Sequence, residues 1–205
     1  MTSLIINGPA GQLEILPEEP EVLLESAPVA IICHPHPLYG GTMQNKVVHT
    51  IAKVCNELGV PAIRFNFRGV GKSEGHFEHG LGEQQDCLAV ANWARQHYPN
   101  RPIWLAGFSF GSFVAYQSFK AIDAKRLLLV APPVGLFEFQ TMDEITIPWC
   151  VIQGKEDEVT PPESVELWVK SQASRPKFYY LEEVSHFFHG KLNLLREIVS
   201  ENWSE

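Results

Sequence analysis

The glycine, serine and glycine at alternate positions of residues 107–111 constrain the fold of this chain more than any other stretch. An apolar run at residues 103–106 precedes the pattern, and a helix-like segment at residues 112–120 follows it. The chain is therefore predicted to form a strand, a sharp turn and a helix, with Ser109 at the apex of the turn. Both glycines fit, because such a turn brings helix and strand too close together for side chains. A serine hydroxyl needs this exposure, a nearby base and backbone donors to act as a nucleophile.

A second stretch, residues 71–75, matches the same pattern around Ser73. It lies in a polar, glycine-rich segment with no strand directly before it and no helical period after it, which is typical of a loop. The context favours Ser109 as the candidate nucleophile. The alternative interpretation of Ser109, a small residue in a tight turn, holds only if the chain supplies no partner groups.

Apolar runs of strand length alternate with helical periods along the chain. Residues 3–7 and 12–16 predict an antiparallel N-terminal hairpin. Further strands are predicted at residues 29–33, 61–65, 103–106, 126–130, 148–152 and 177–181. Helices are predicted at residues 44–58, 82–97, 112–120, 163–171 and 191–202. This alternation predicts an α/β fold with a mostly parallel, twisted sheet and helices on both of its faces.

Partner groups for a serine follow two of the later strands. An acidic turn at residues 156–158 comes after the strand at 148–152, and His186 comes after the strand at 177–181. Loops at the carboxyl ends of parallel strands share one edge of the sheet, so these groups are expected to meet there. Serine, acid and histidine in this chain order form one of the convergent catalytic triads. His189 is the alternative base, but it adjoins the start of the final helix.

Five segments, taken in order, resemble the α/β-hydrolase superfamily, and specifically the small, capless hydrolases akin to dienelactone hydrolase. They are residues 34–41, residues 64–73, the serine turn, the acidic turn and the loop of His186. The resemblance implies an α/β-hydrolase fold with no cap domain. It also implies hydrolysis by a serine nucleophile without a metal ion or an organic cofactor. Within the acidic turn, it places the functional acid at Asp157 rather than at Glu156 or Glu158.

The first of these loops departs from the family pattern, because His34 is followed by Pro35 where many relatives have glycine. Pro35 and Pro37 have no N–H to donate. The resemblance therefore implies that the backbone N–H of His36 pairs with that of Phe110 to form an oxyanion hole. Leu38 is the substitute for His36 in that role.

The connection at residues 131–147 is short, whereas many relatives insert a helical cap there. A site left open from above predicts an apolar groove for part of the substrate. The candidate groove residues are aromatic: Tyr39, Phe108, Phe137 and Phe187. Each of them is alternatively a core residue.

Length and charge set outer bounds on function. With 205 residues, of which 45% are hydrophobic, the chain is expected to form a single domain over residues 1–205. A formal net charge of -8 without basic patches argues against nucleic acid and anionic membranes as partners. With neither a signal-peptide pattern nor a membrane-spanning run, a cytoplasmic location is expected. The pattern leaves the oligomeric state open.

The four cysteines are scattered without a C-x-x-C pair, and each lies among apolar residues: Cys33, Cys55, Cys87 and Cys150. They are expected to be buried free thiols that pack as small hydrophobic groups. Cys33, at the end of its strand, is the candidate if the nucleophile is a cysteine.

Three other classes of function remain open. Residues 66–73 end like a phosphate-binding P-loop, but Asn66 stands where glycine is needed and no helix follows. A metal-dependent hydrolase would need several histidines as ligands, in a spacing that matches no recognisable zinc pattern. The candidates are His34, His36, His76, His79, His186 and His189. A binding protein that keeps the fold with an inactive site is the third class.

The sequence favours a serine hydrolase that cleaves small carboxylic esters through an acyl-enzyme, with no metal or cofactor. In this interpretation Ser109 attacks the carbonyl, His186 transfers the proton and Asp157 orients the imidazole. Acyl thioesters and small lactones are alternative substrates, because they share this chemistry. The partner is accordingly a small molecule, an ester or a thioester.

Overall fold

The predicted strands and helices are present in the structure, a computed structural model that describes residues 2–139 and 145–204. The strands are β1 (Leu4–Gly8), β2 (Gly11–Glu18), β3 (Val29–Cys33), β4 (Ala62–Phe65), β5 (Ile103–Phe108), β6 (Arg126–Val130), β7 (Trp149–Gly154) and β8 (Lys177–Leu181). The helices are α1 (Lys46–Glu57), α2 (Leu81–His97), α3 (Phe110–Ser118), α4 (Pro162–Ser171) and α5 (Leu192–Trp203). One short 3₁₀ helix, Pro37–Tyr39, was not predicted.

The strands form one eight-stranded sheet in the order β1-β2-β4-β3-β5-β6-β7-β8. The N-terminal hairpin pairs antiparallel, and β2 also runs antiparallel to β4. The remaining pairs are parallel, as predicted. The sequence prediction of an α/β-hydrolase fold with a mostly parallel sheet and an antiparallel hairpin is confirmed. The register pairs Cys33 with Gly107, which sets the loop after β3 beside the serine turn.

Both faces of the sheet are covered, which explains why the central strands are apolar throughout. In β3, Ile31 belongs to the core cluster that contains side chains of α2, α3 and α4, whereas Ile32 belongs to the cluster with α1 and α5. Successive side chains of a strand point to opposite faces, so each face receives its own apolar layer. Among the helices that the structure describes, none is long and apolar enough to cross a membrane.

Helix α1 follows β3, so it begins at the edge of the sheet where the parallel strands have their carboxyl ends. The Asn45 side chain accepts a hydrogen bond from the Val47 N–H at 2.9 Å and so caps the first turn. The buried positions of α1 recur at helical spacing, and they pack against the sheet.

The connection after β6 is described as far as residue 139. Val134 and Phe137 form an isolated bridge within it. Residues 140–144, on which part of the predicted short connection falls, lie outside the described residues.

Candidate active site

Ser109 lies in a strained turn between β5 and α3. Its backbone has φ 52° and ψ −124°, a conformation that costs a non-glycine residue about 1–3 kcal/mol. A Cβ on Gly107 would lie 2.1 Å from the Gly111 oxygen, and one on Gly111 would lie 2.2 Å from the Cys33 oxygen. The expectation that the glycines permit close approach of helix and strand is confirmed. The turn thereby holds the Ser109 side chain at the carboxyl edge of the sheet.

Three side chains from different loops meet at this edge. The Ser109 hydroxyl lies 3.0 Å from His186 Nε2, and His186 Nδ1 lies 2.8 Å from Asp157 Oδ2. An ionised carboxylate only accepts, so Nδ1–H donates to Asp157 and Nε2 accepts from the serine hydroxyl. All three side chains are buried. The structure therefore brings together the three residues in which the sequence predicts a triad.

The Asp157 carboxylate is surrounded by donors. Oδ1 accepts the backbone N–H groups of Val159 at 2.9 Å and of Thr160 at 2.7 Å. Oδ2 also accepts from Gln153 Nε2 at 2.9 Å. Burial by itself raises the pKa of Asp157, but the hydrogen bond and charge of His186, together with these donors, hold the pKa below its ordinary value. Asp157 is thus an anion at neutral pH.

The neighbouring acids have different contacts. Glu158 Oε2 accepts the backbone N–H of His186 at 3.1 Å, so its carboxylate holds the loop that carries the imidazole. Glu156 is exposed. The sequence gives no signal for the contact of Glu158, because it depends on the loop after β8 folding over the loop after β7.

His189, the alternative base, does not enter this network. It is exposed, and its ring packs against Phe187 at 5.9 Å between centroids. The structure therefore favours His186 as the base.

The backbone N–H groups of His36 and Phe110 are the candidate oxyanion donors, and both residues border the same cavity as Ser109. Within residues 2–139 and 145–204, no acceptor receives the N–H of His36 or that of Phe110. The Leu38 N–H, in contrast, donates to His36 Nδ1 at 3.2 Å. The geometry thus favours His36 over Leu38 as the partner of Phe110 in a candidate oxyanion hole.

His34 organises this loop from below. Its Nε2 accepts the Phe67 N–H at 3.0 Å, which leaves Nδ1–H to donate to the Pro35 oxygen at 2.6 Å. Burial lowers the pKa of His34 to about 4, so the ring is neutral. These two hydrogen bonds give His34 a structural role in the loop.

A cavity of about 520 Å³ opens directly beside Ser109. Its lining is largely apolar: Pro35, His36, Tyr39, Gly40, Gly41, Asn45, Ser109, Phe110, Pro133, Leu136, Phe137, Val159, His186 and Phe187. Tyr39, Phe137 and Phe187 were predicted to line such a groove. Leu136 and Val159 also line the cavity but were not predicted to, because no sequence pattern distinguishes an isolated aliphatic loop residue that lines a cavity from one that does not.

Phe108 is a correction to the predicted groove. It is fully buried and belongs to the core cluster on the α1 and α5 face of the sheet. The centroid of its ring lies 5.3 Å from that of His186, so the two side chains pack against each other. Strand β5 extends to Phe108, so the alternation of the strand, and not the serine turn, sets the direction of its side chain.

Ser73 has a structural role in the neighbouring loop. Its hydroxyl donates to the Asn66 oxygen at 2.7 Å and accepts the Glu14 N–H at 2.9 Å. The next helix begins only at Leu81, so no helix N-terminus faces the segment that resembles a P-loop. This agrees with the interpretation of Ser73 as a loop residue.

The four cysteines are buried and free, as expected. Burial raises the pKa of the Cys33 thiol well above its ordinary value, which disfavours the reactive thiolate. In the part of the chain that the structure describes, no group of three or more His, Cys, Asp or Glu residues is arranged to hold a metal ion.

Solved structures and one curated protein are similar to this chain over almost its whole length. An alpha-beta serine hydrolase homologue from Coxiella burnetii is 45% identical with a TM-score of 0.93, over 98% of this chain and 96% of that chain. XC6422 from Xanthomonas campestris, a member of a/b serine hydrolase without lid, is 40% identical with a TM-score of 0.93, over 98% and 92%. The uncharacterized protein RP471 of Rickettsia prowazekii (strain Madrid E) is 33% identical, over 98% of this chain and 88% of its own. No protein-family model matches the chain.

Proposed function

The chain belongs to the family of α/β serine hydrolases without a lid, and we propose that it hydrolyses small carboxylic esters through an acyl-enzyme on Ser109. The observation that carries this proposal is the hydrogen-bonded series from Asp157 through His186 to Ser109. The apolar cavity beside Ser109 supports it further, because it gives an ester a place to bind next to the nucleophile.

In the first half of the reaction, Ser109 Oγ forms a bond to the ester carbonyl carbon while its proton passes to His186 Nε2. The carbonyl electron pair moves to oxygen, and the resulting oxyanion accepts from the N–H groups of His36 and Phe110. Asp157 stabilises the imidazolium through Nδ1–H. The tetrahedral intermediate then expels the alcohol, which takes its proton from His186 Nε2.

In the second half, water attacks the acyl-enzyme. His186 accepts the proton of the water, and the second tetrahedral intermediate releases the carboxylic acid and regenerates the Ser109 hydroxyl. Thioesters and lactones would react by the same steps with a thiol or an internal hydroxyl as the leaving group. Simple esters are the proposed substrates, and thioesters and lactones are the alternatives.

A fluorophosphonate probe tests the nucleophile directly, since it forms a stable bond to an activated serine. We expect labelling of wild-type protein at Ser109 and turnover of p-nitrophenyl butyrate. Ser109→Ala should lose both, with a fall in kcat on the order of 10⁶. Ser73→Ala is the matched control and should keep most of the activity.

The opposite pattern in these two variants would make Ser73 the nucleophile. A protein that neither reacts with the probe nor hydrolyses a panel of short esters, thioesters and lactones would instead be a binding protein with an inactive site.

A further inference from the structure

Two separate apolar walls border the cavity beside Ser109. One wall comes from the loops after β3 and β6 and consists of Tyr39, Leu136 and Phe137. It adjoins the two residues that carry the candidate oxyanion donors: the Tyr39 ring lies 4.7 Å from that of His36, and the Phe137 ring lies 5.3 Å from that of Phe110, between centroids. The other wall comes from the loops after β7 and β8 and consists of Val159 and Phe187.

The second wall adjoins the histidine. The Phe187 ring meets the His186 ring edge-on at 5.0 Å between centroids. Val159 is held there because its N–H donates to Asp157 Oδ1 at 2.9 Å. Any group bound against Val159 and Phe187 therefore lies next to the imidazole.

The proposed chemistry distinguishes the two walls. The alcohol oxygen must take a proton from His186 Nε2, so the leaving alcohol lies on the side of the imidazole. The oxyanion faces the other way, where it accepts hydrogen bonds from the His36 and Phe110 N–H groups. The acyl chain is the remaining substituent of the carbonyl carbon. It therefore lies against the wall beside those donors, which consists of Tyr39, Leu136 and Phe137.

We infer that Tyr39, Leu136 and Phe137 form an acyl subsite, that Val159 and Phe187 form an alcohol subsite, and that both subsites take uncharged apolar groups. This assignment rests on the proposed ester hydrolysis. It adds which residues select each half of the substrate, and it specifies the charge that the site accepts.

The charge preference follows from what lines the cavity. Within the described residues, none of the lining side chains is Asp, Glu, Lys or Arg. The His36 ring is neutral at neutral pH, because burial and the nearby His79 lower its pKa. A carboxylate on the substrate would lose water there without gaining a cationic partner.

The side chains of both walls are also exposed to solvent. Tyr39 is 87% exposed, Leu136 57% and Phe187 42%. Large apolar side chains clustered around one opening mark a surface that is covered in use. An apolar substrate covers both walls when its ester group reaches Ser109.

A crossed set of variants and substrates tests the assignment. The acyl preference is the ratio of kcat/KM for p-nitrophenyl 3-phenylpropanoate to that for p-nitrophenyl acetate. The alcohol preference is the ratio of kcat/KM for 2-phenylethyl acetate to that for ethyl acetate. Hydrolysis of these two esters is measured from the acid that is released. Tyr39→Ala and Phe187→Ala are a matched pair, because each removes an exposed aromatic ring from one wall.

We expect Tyr39→Ala to lower the acyl preference on the order of 3–10-fold and to leave the alcohol preference within about twofold. Phe187→Ala should lower the alcohol preference by a similar factor and should leave the acyl preference within about twofold. Leu136→Ala should follow Tyr39→Ala. Leu167→Ala, which removes an exposed leucine of α4 outside the cavity, should change neither ratio.

Exchanged effects of the two aromatic variants would reverse the assignment and overturn it. Unchanged ratios in all three wall variants would overturn it as well. In both cases the ester would still be hydrolysed and Ser109 labelled, so the proposed function would stand. Absence of both labelling and turnover would overturn the proposed function, and the subsites with it.

The charge preference has its own matched substrates, p-nitrophenyl hemisuccinate and p-nitrophenyl 4-methylpentanoate, which differ mainly in a carboxylate replacing an isopropyl group. We expect kcat/KM to favour the neutral ester on the order of 10²-fold. Equal rates, or a faster hemisuccinate, would contradict an uncharged subsite.

Discussion

Asp157 differs from its two acidic neighbours in what it contacts. It accepts hydrogen bonds from His186, Gln153 and two backbone N–H groups, whereas Glu158 accepts the backbone N–H of His186. The three carboxylates are adjacent in sequence, yet their positions in the network give them different expected roles.

Substitution of each acid in turn tests these roles. Asp157→Asn should lower kcat on the order of 10⁴-fold, because an amide favours the wrong tautomer of His186. Glu156→Gln should lower kcat only slightly, because the Glu156 side chain is exposed. Glu158→Gln should also be mild, because its amide oxygen still accepts the His186 N–H. Equal losses of kcat in all three variants would mean that the turn acts as a whole.

Gln153 is a positioning residue that the sequence analysis missed. Its Nε2 donates to the same Asp157 oxygen that accepts from His186, and its own side-chain oxygen is buried without a partner in the described structure. Gln153→Leu should lower kcat about tenfold with KM nearly unchanged, because Asp157 loses a donor that orients it. Thermal unfolding should change little, since the substitution also removes an unsatisfied acceptor. An unchanged kcat would show that the backbone donors suffice to hold Asp157.

The lowered pKa of the buried His34 imidazole predicts that the stability of the protein depends on pH. Its pKa is about 4 in the folded protein and 6.5 ordinarily, so between these values the unfolded chain binds more protons than the native state. The stabilisation is complete above pH 6.5 and is lost as the pH falls towards 4, by about 3 kcal/mol in total.

Urea unfolding at neutral pH and near pH 4 measures this loss. His34→Gln should lower stability at neutral pH and should reduce the difference between the two pH values. His49→Gln, at an exposed position on α1, should leave the difference as in the wild type. A pH dependence that is the same in all three proteins would contradict the assignment to His34.

Among the structural elements, β5 and α3 approach each other closely at the serine turn, and α3 also lies close to the end of β3. Gly111→Ala should destabilise the protein by about 3 kcal/mol and lower kcat, because its Cβ would meet the Cys33 backbone oxygen at 2.2 Å. Gly190→Ala, where the Cβ would meet nothing within 4 Å, bears only the cost of a positive φ, about 1–2 kcal/mol. Chemical denaturation compares the two, and equal losses of stability would show that α3 moves away from β3 without cost.

The 3₁₀ helix Pro37–Tyr39 shows a limit of sequence patterns at the element scale. The His36 imidazole accepts the N–H of Leu38, and this cap occupies the donor that was the alternative for the oxyanion hole. Two prolines in the stretch exclude their own positions as donors, but they do not choose between His36 and Leu38. The choice depends on how the loop folds back.

At the scale of the whole molecule, the open cavity predicts a limited dependence on chain length. A cap would bury a long acyl chain at about 0.8 kcal/mol per methylene, so that kcat/KM would keep rising. Here kcat/KM for p-nitrophenyl esters should rise over the first few carbons and then level off as further methylenes remain in water. A series from two to sixteen carbons measures this dependence.

The same series reports on interfacial behaviour. No lag and no activation at the aggregation threshold of the substrate is expected, since the described part of the connection after β6 forms no lid that would have to open. A preference that climbs to the longest chain, or a jump in rate at that threshold, would contradict the open site.

Strand and helix periods and glycine turns are local signals, so the amino-acid sequence alone predicts the order and type of the main elements and the fold class. It also singled out Ser109 and His186, and the family resemblance chose Asp157 among three adjacent acids; the joint role of these residues in catalysis stays a prediction. Only the tertiary structure placed Phe108 in the core and Glu158 and Gln153 around the candidate triad. These contacts join residues from different loops and strands, and the direction of each side chain depends on where a strand ends and which loop folds over it.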